Sequence, residues 1–228
     1  IFSWFEQYLR PDLSLRRIPY WFFADWSGTP LGEPRREEEG DSAFQDLLYV
    51  YALRAASRME AAFGSPAAAE KYSGLADAIS DTMRPKYWNA RKGMFADTFS
   101  RSDFSQHVNV LAILCGVVEG EEASALLHRI TDDRTVMPCS VFFRYYLQQA
   151  MKLTGNGAML FDGLGIWRDQ LALGLTTWAE QPEPSRSDCH AWSASPNIEF
   201  YRIILGIDSD APGFRRVRIE PSLGDLRR

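Results

Sequence analysis

The chain has 228 residues, 46% hydrophobic and 24% charged, the composition of a folded globular protein with one sizeable core. Its 30 acidic and 25 basic side chains leave a net charge of -5, and the basic residues gather only in short pairs such as Arg35-Arg36 and Arg215-Arg216, which argues against a nucleic-acid partner. Spanning a bilayer takes roughly 18 to 20 apolar residues, and even the run Leu111 to Val118 is short and bounded by polar residues, which argues against a membrane protein.

Apolar residues recur at three-to-four spacing along most of the chain and almost nothing alternates before residue 214, so the fold is expected to be all-α. Ile1 to Arg10 reads as an amphipathic helix and not as a signal peptide, and a chain that starts at Ile1 without an initiator Met is expected to be a piece of a longer one. Asp41 to Phe63 is the clearest helix. Phe44, Leu47, Leu48, Tyr51 and Ala55 form its apolar stripe, Gln45, Arg54, Arg58 and Glu60 its polar face, Asp41 its cap and Gly64 its end. Pro66 opens a second helix that should stop at Arg84, before Pro85. Arg91-Lys92-Gly93 is a turn signal between short aromatic runs and predicts a small hairpin within Asn89 to Phe99. Further helices are expected over 105–119, 121–130, 140–154, 158–173 and 190–206. Repeated antiparallel hairpins of this kind suit a helical toroid or bundle.

The end of the chain changes character. Ala211-Pro212-Gly213 makes a turn, and Phe214 to Ile219 alternates apolar and basic residues as a strand does, with its pairing partner expected beyond Arg228 or elsewhere in a parent chain unless it merely packs across the helices. Glu37-Glu38-Glu39 reads as a solvated loop.

Three cysteines and three histidines offer no CxxC and no metal-ligand spacing, so neither a disulfide scaffold nor a zinc site is expected. Cys115 lies in an apolar helical run and reads as core. Cys189 stands beside His190, but adjacent residues rarely point at each other, which weighs against an activated thiol. The richest stretch lies between Thr176 and Pro196. Thr176-Thr177-Trp178-Ala179-Glu180 and Ser187-Asp188-Cys189-His190-Ala191-Trp192 put a carboxylate, an imidazole and two indoles close together. Indole rings cover the apolar face of a pyranose, while carboxylate and imidazole hold its hydroxyls or move protons. The plainer alternative is a capping loop with two core tryptophans.

These stretches, with Trp21-Phe22-Phe23-Ala24-Asp25-Trp26, Ser105-Gln106-His107-Val108-Asn109 and the tail from Leu205 to Pro221, resemble the C-terminal part of the α-L-rhamnosidase catalytic module. That family of inverting glycoside hydrolases is built on an (α/α)6 toroid of helical hairpins. The resemblance covers nearly the whole sequence. It implies residues 1–207 as the C-terminal part of the toroid and 208–228 as a linker or the start of a following β-sandwich. It also implies Glu180 as the general base, although many relatives carry the acid directly after the Trp, where this chain has Ala179. Glu183 is the fallback. Trp26, Trp178 and Trp192 are then expected to wall the sugar pocket, His190 to contact a hydroxyl, and Asp25 to support the pocket loop. His107 reads as a helix cap or packing residue. No cofactor or metal is implied, and the expected partner is a rhamnose-containing glycoside.

Inversion needs two carboxyl groups roughly 6.5 to 9.5 Å apart, one to protonate the leaving oxygen and one to deprotonate water. The family's general acid lies well upstream of the Asp-Trp segment. No counterpart stands in residues 1–24, where Asp12 reads as a helix cap, so this stretch by itself is expected to be inactive and to expose apolar faces that favour self-association. The alternatives are a helical module that binds sugar without cutting it, and another toroidal glycosidase or polysaccharide lyase. The family favours a periplasmic or extracellular setting, whereas three unpaired cysteines suit a reducing or disulfide-free one.

Overall fold

A computed structural model describes residues 1–27, 32–38 and 40–226. The chain forms two compact units, Ile1–Pro138 and Cys139–Arg228. Both are mainly helical, in keeping with the apolar periodicity.

In the first unit, α1 (Phe2–Glu6) is shorter than the expected Ile1 to Arg10. After it the backbone turns and forms a bridge between Leu9 and Leu15, while Arg10 swings away to pair with Asp41. Asp41 is thus committed to an ion pair and does not cap α2 (Ala43–Phe63), whose N-cap is Ser42. Gly64 closes α2 as expected. The stripe is corrected in part: Phe44 and Leu47 are buried, but Leu48, Tyr51 and Ala55 are only half-buried, and Val50 and Leu53 take their place in the core. Gln45, expected on the polar face, is buried because its amide donates to the Arg16 carbonyl at 3.1 Å. The reason is the number of neighbours: α2 packs on both α3 (Pro66–Tyr87) and α4 (Gln106–Leu114), which widens its buried face.

Helix α3 starts on a Ser65 cap with Pro66 in the first turn, and it runs through Pro85 to Tyr87 instead of stopping before it. Proline removes a single N–H, and so close to the helix end the loss is small. Strands β1 (Trp88–Asn89) and β2 (Met94–Phe95) pair antiparallel around the expected turn, where Gly93 takes φ +64°. Fully buried Asn109 locks this hairpin to α4: its side chain accepts from Phe95 N–H at 2.8 Å and donates to the Phe95 carbonyl at 2.9 Å. Helix α5 (Gly120–Asp132) completes the unit, with Glu121 and Glu122 in its first turn and Arg129 in its last, matching the helix dipole.

Asp46 is the unit's most consequential buried charge. Its carboxylate accepts from Leu15 N–H and from the Tyr87 hydroxyl, both at 2.8 Å, which ties the N-terminal segment and the end of α3 to α2. Burial pushes its pKa up to about 7, against the lowering effect of those two donors.

The second unit is more broken than the periodicity suggests. Helix α6 (Arg144–Leu153) buries Leu147, Ala150 and Met151, but residues 141–143 form a turn and 140 lies outside any helix. The helix expected over 158–173 is two short 3-10 turns, Gly157–Leu160 and Asp162–Leu164, followed by α7 (Gly165–Ala172). The one expected over 190–206 is a 3-10 turn, α8 (Ser195–Glu199) and a π-helical turn over Phe200–Ile204. The C-terminal strand does not wait for an outside partner: β4 (Val217–Ile219) pairs antiparallel with β3 (Ile207–Ser209) inside the chain. Gly206, at φ +64°, admits this return, since a Cβ there would lie 2.0 Å from the Glu220 backbone. Among the described residues no helix is long and apolar enough to cross a membrane.

Candidate active site

Asp25 and Trp26 belong to the first unit. Asp25 is buried, and its Oδ2 lies 2.7 Å from His107 Nε2 in the first turn of α4. Its Oδ1 accepts from Trp26 N–H at 2.9 Å, and Ser27 Oγ lies 3.2 Å from both the carboxylate and the imidazole. Two segments distant in sequence are thus held by one polar knot. His107 does not cap α4, since that role falls to Ser105, whose hydroxyl faces Val108 N–H. Trp26 is half-buried, edge-on to Phe23 with centroids 5.2 Å apart.

Asp25 and His107 line a recess of about 280 Å³ together with Arg35 and Asp97. Asp97 was not singled out in the sequence. It is buried, accepts from Ser105 Oγ at 2.6 Å and Arg35 at 3.1 Å, and is pushed above the usual carboxylate range by burial, which those donors oppose. Among the described residues, no set of three or more His, Cys, Asp and Glu side chains is placed to hold a metal ion.

Glu180, Trp178, His190 and Trp192 come together in the second unit. The loop after α7 runs out through Trp178–Glu180 and returns through Ser187–His190. Glu180 N–H donates to the Ser187 carbonyl and His190 N–H to the Trp178 carbonyl, each at 2.8 Å. Side chains clamp the outgoing arm. Gln170 accepts from Ala179 N–H at 2.8 Å, Ser193 Oγ donates to the Ala179 carbonyl at 2.6 Å, and Trp192 Nε1 donates to the Glu180 carbonyl at 3.0 Å. Buried Trp167 braces Ser193 by donating to its carbonyl at 2.7 Å. All four backbone polar groups of Ala179 and Glu180 are therefore engaged, and the Glu180 carboxylate is buried against Arg186, with which it forms an ion pair. Glu183, by contrast, is exposed and accepts only weakly from Ser185 N–H, at 3.3 Å. Cys189 is exposed.

The Trp192 ring meets His190 on one side, centroids 4.2 Å apart, and Phe142 on another, at 4.9 Å. With Phe142, Tyr145, Tyr146 and Ile198 it lines an open cleft of about 670 Å³. These α6-side aromatics escaped the sequence reading because their spacing is also that of a core-facing helix. Half-buried Trp178 contributes its carbonyl to the loop pairing and is not among the residues lining the cleft. An aromatic cleft can hold the apolar face of a sugar ring, and one wall of this one, Trp192, holds the backbone that carries the Glu180 carboxylate, a group able to accept a proton.

Residues 1–204 match the family model described as bacterial alpha-L-rhamnosidase 6 hairpin glycosidase domain. Among solved structures, the chain is similar to a GH78 family rhamnosidase of Bacillus sp. GL1, with a TM-score of 0.84 and 25% identity over 98% of this chain and 25% of that one. It shares its fold with a rhamnosidase from Klebsiella oxytoca with rhamnose bound, with a TM-score of 0.72, 16% identity and 86% and 39% of the two chains covered. The same holds for an alpha-L-rhamnosidase from Dictyoglumus thermophilum, with a TM-score of 0.72, 18% identity and 96% and 25% covered. The chain thus spans about a quarter of the length of the Bacillus protein. No curated protein matches it.

Proposed function

Because this chain belongs to the bacterial α-L-rhamnosidase family of six-hairpin glycosidase domains, we propose that Glu180 is the general base of a hydrolase that removes terminal α-L-rhamnosides with inversion. One observation carries the assignment: Glu180 is a buried carboxylate on a fully clamped backbone held by Trp192, a wall of the aromatic cleft, whereas its fallback Glu183 is exposed. In the proposed step Glu180 takes a proton from water as the water oxygen bonds to the anomeric carbon. The glycosidic bond breaks on the opposite face, and the leaving oxygen keeps its electron pair and takes a proton from a general acid. That acid is expected from outside residues 1–228, so this stretch alone is expected to turn over negligibly.

In the same reading Trp192 and His190 contact the sugar and Trp178 acts through its loop, while in the first unit Asp25 and His107 hold the segment that carries Trp26, itself a candidate sugar contact. Residues 1–207 belong to the helical toroid and 208–228 lead out of it. The decisive test is release of sugar from an aryl α-L-rhamnoside by the full-length protein, wild type beside Glu180→Gln, with product anomers followed by NMR. The expected result is an initial product of inverted configuration and a loss of activity by orders of magnitude in the folded variant. Undiminished activity in Glu180→Gln would sink the assignment, and binding without turnover in both proteins would favour a sugar-binding module instead.

A further inference from the structure

We propose that Arg186 is a positioning residue for Glu180, fixing the orientation of its carboxylate and supplying its counter-charge from the solvent side. The inference rests on the assignment of Glu180 as base. It begins with the register of the loop. Glu180 N–H donates to the carbonyl of Ser187, so the residue just before Ser187 in the returning arm lies beside the Glu180 side chain. That residue is Arg186, and its guanidinium bonds Glu180 Oε1. Ser185 keeps the arm from sliding: its hydroxyl donates to the Ser187 carbonyl at 2.8 Å and lies 3.3 Å from Ser187 N–H.

The exposures of the two partners are unequal. The Glu180 side chain is 5% exposed and that of Arg186 is 65% exposed. An exposed ion pair is worth little, but here only the cation remains in water. A carboxylate taken out of water favours its neutral form, which cannot accept the proton of an attacking water. Guanidinium stays charged at every working pH, and its bond to Oε1 holds that oxygen in place. Arg186 therefore does for the side chain what Gln170, Trp192 and Ser193 do for the backbone. It touches the base and is not required to touch the sugar, so its loss should alter the ionisation of the site more than the affinity for substrate.

The test is the pH profile of kcat/KM for the full-length protein with an aryl α-L-rhamnoside, comparing wild type, Arg186→Gln, Arg186→Lys and Glu180→Gln. Arg186→Gln is expected to move the acid limb upward by about 1 to 3 pH units, the range an adjacent Arg imposes on a carboxylate. Activity should then fall about tenfold or more on the acid side and recover toward neutral pH, with KM little changed. Arg186→Lys should restore much of the limb, because a cation is kept. Arg186 is exposed, and an unchanged melting temperature will separate these effects from unfolding. An acid limb that stays in place in Arg186→Gln, or a loss confined to KM, overturns the inference while leaving Glu180 as base. Full activity in Glu180→Gln removes the base assignment, and this inference with it.

Discussion

The indole N–H of Trp192 donates to the backbone carbonyl of Glu180 at 3.0 Å, so one side chain both walls the aromatic cleft and holds the loop that carries the carboxylate. Its two functions can be separated by substitution. Trp192→Phe keeps a ring in the cleft and deletes the donor, leaving a carbonyl in need of a partner. A lost hydrogen bond of about 0.5 to 1.5 kcal/mol predicts a kcat lower by roughly twofold to tenfold, with KM little affected. Trp192→Ala removes the ring as well and should raise KM. Steady-state kinetics on the full-length protein decides it: a Phe variant with unaltered kcat would show that the clamp is not needed for turnover.

The Asp25–His107 contact makes a different prediction, about stability. Both side chains are buried, and the pair joins the segment before Trp26 to the start of α4. His107→Ala removes one partner of a buried polar pair and is expected to cost about 3 kcal/mol in urea unfolding. A loss under about 1 kcal/mol would mean that Ser27 and Trp26 N–H suffice to hold Asp25.

Asp46 predicts a pH dependence. Burial is the main cause that raises it from 3.8 to about 7, partly opposed by the Leu15 and Tyr87 donors. Between those values the folded chain keeps a proton that the unfolded chain has released. The folded state's pKa is the higher one, so the stabilisation is complete below the unfolded value and is lost as pH rises through about 7. Asp46→Asn keeps the geometry, with Oδ1 accepting from Leu15 N–H and Nδ2 donating to the Tyr87 oxygen. The stability of wild type relative to Asp46→Asn should therefore fall steadily across this window in urea unfolding at several pH values. A constant difference would mean that Asp46 stays ionised in the fold.

Much of the helical order was legible in the sequence. Gly64, the Pro66 start and the Gly93 turn each act through local backbone preferences, and all three stand where they were expected. The errors cluster where a partner distant in sequence intervenes. Asp41 would cap α2 if Arg10 did not claim it, and Gln45 would face water if the Arg16 carbonyl were not above it. The π turn after Glu199 and the breaks before α7 show the same limit, since apolar spacing does not report which hydrogen bonds close.

The sequence by itself determined the family: the ordered stretches from Trp21 to Trp192 match over residues 1–204, because the residue types and their order can be read without coordinates. The resemblance offered Glu180 as the proposed base and Glu183 as its fallback. Only the tertiary structure shows their different surroundings, burying Glu180 between clamped arms and leaving Glu183 in solvent. Tertiary structure alone, too, gave Arg186, Gln170 and Ser193 their places around Glu180 and brought Phe142, Tyr145 and Tyr146 to the Trp192 cleft. The physical reason is that motifs record chemistry along the chain, whereas burial, counter-charge and clamping arise from contacts across it, which local spacing does not encode.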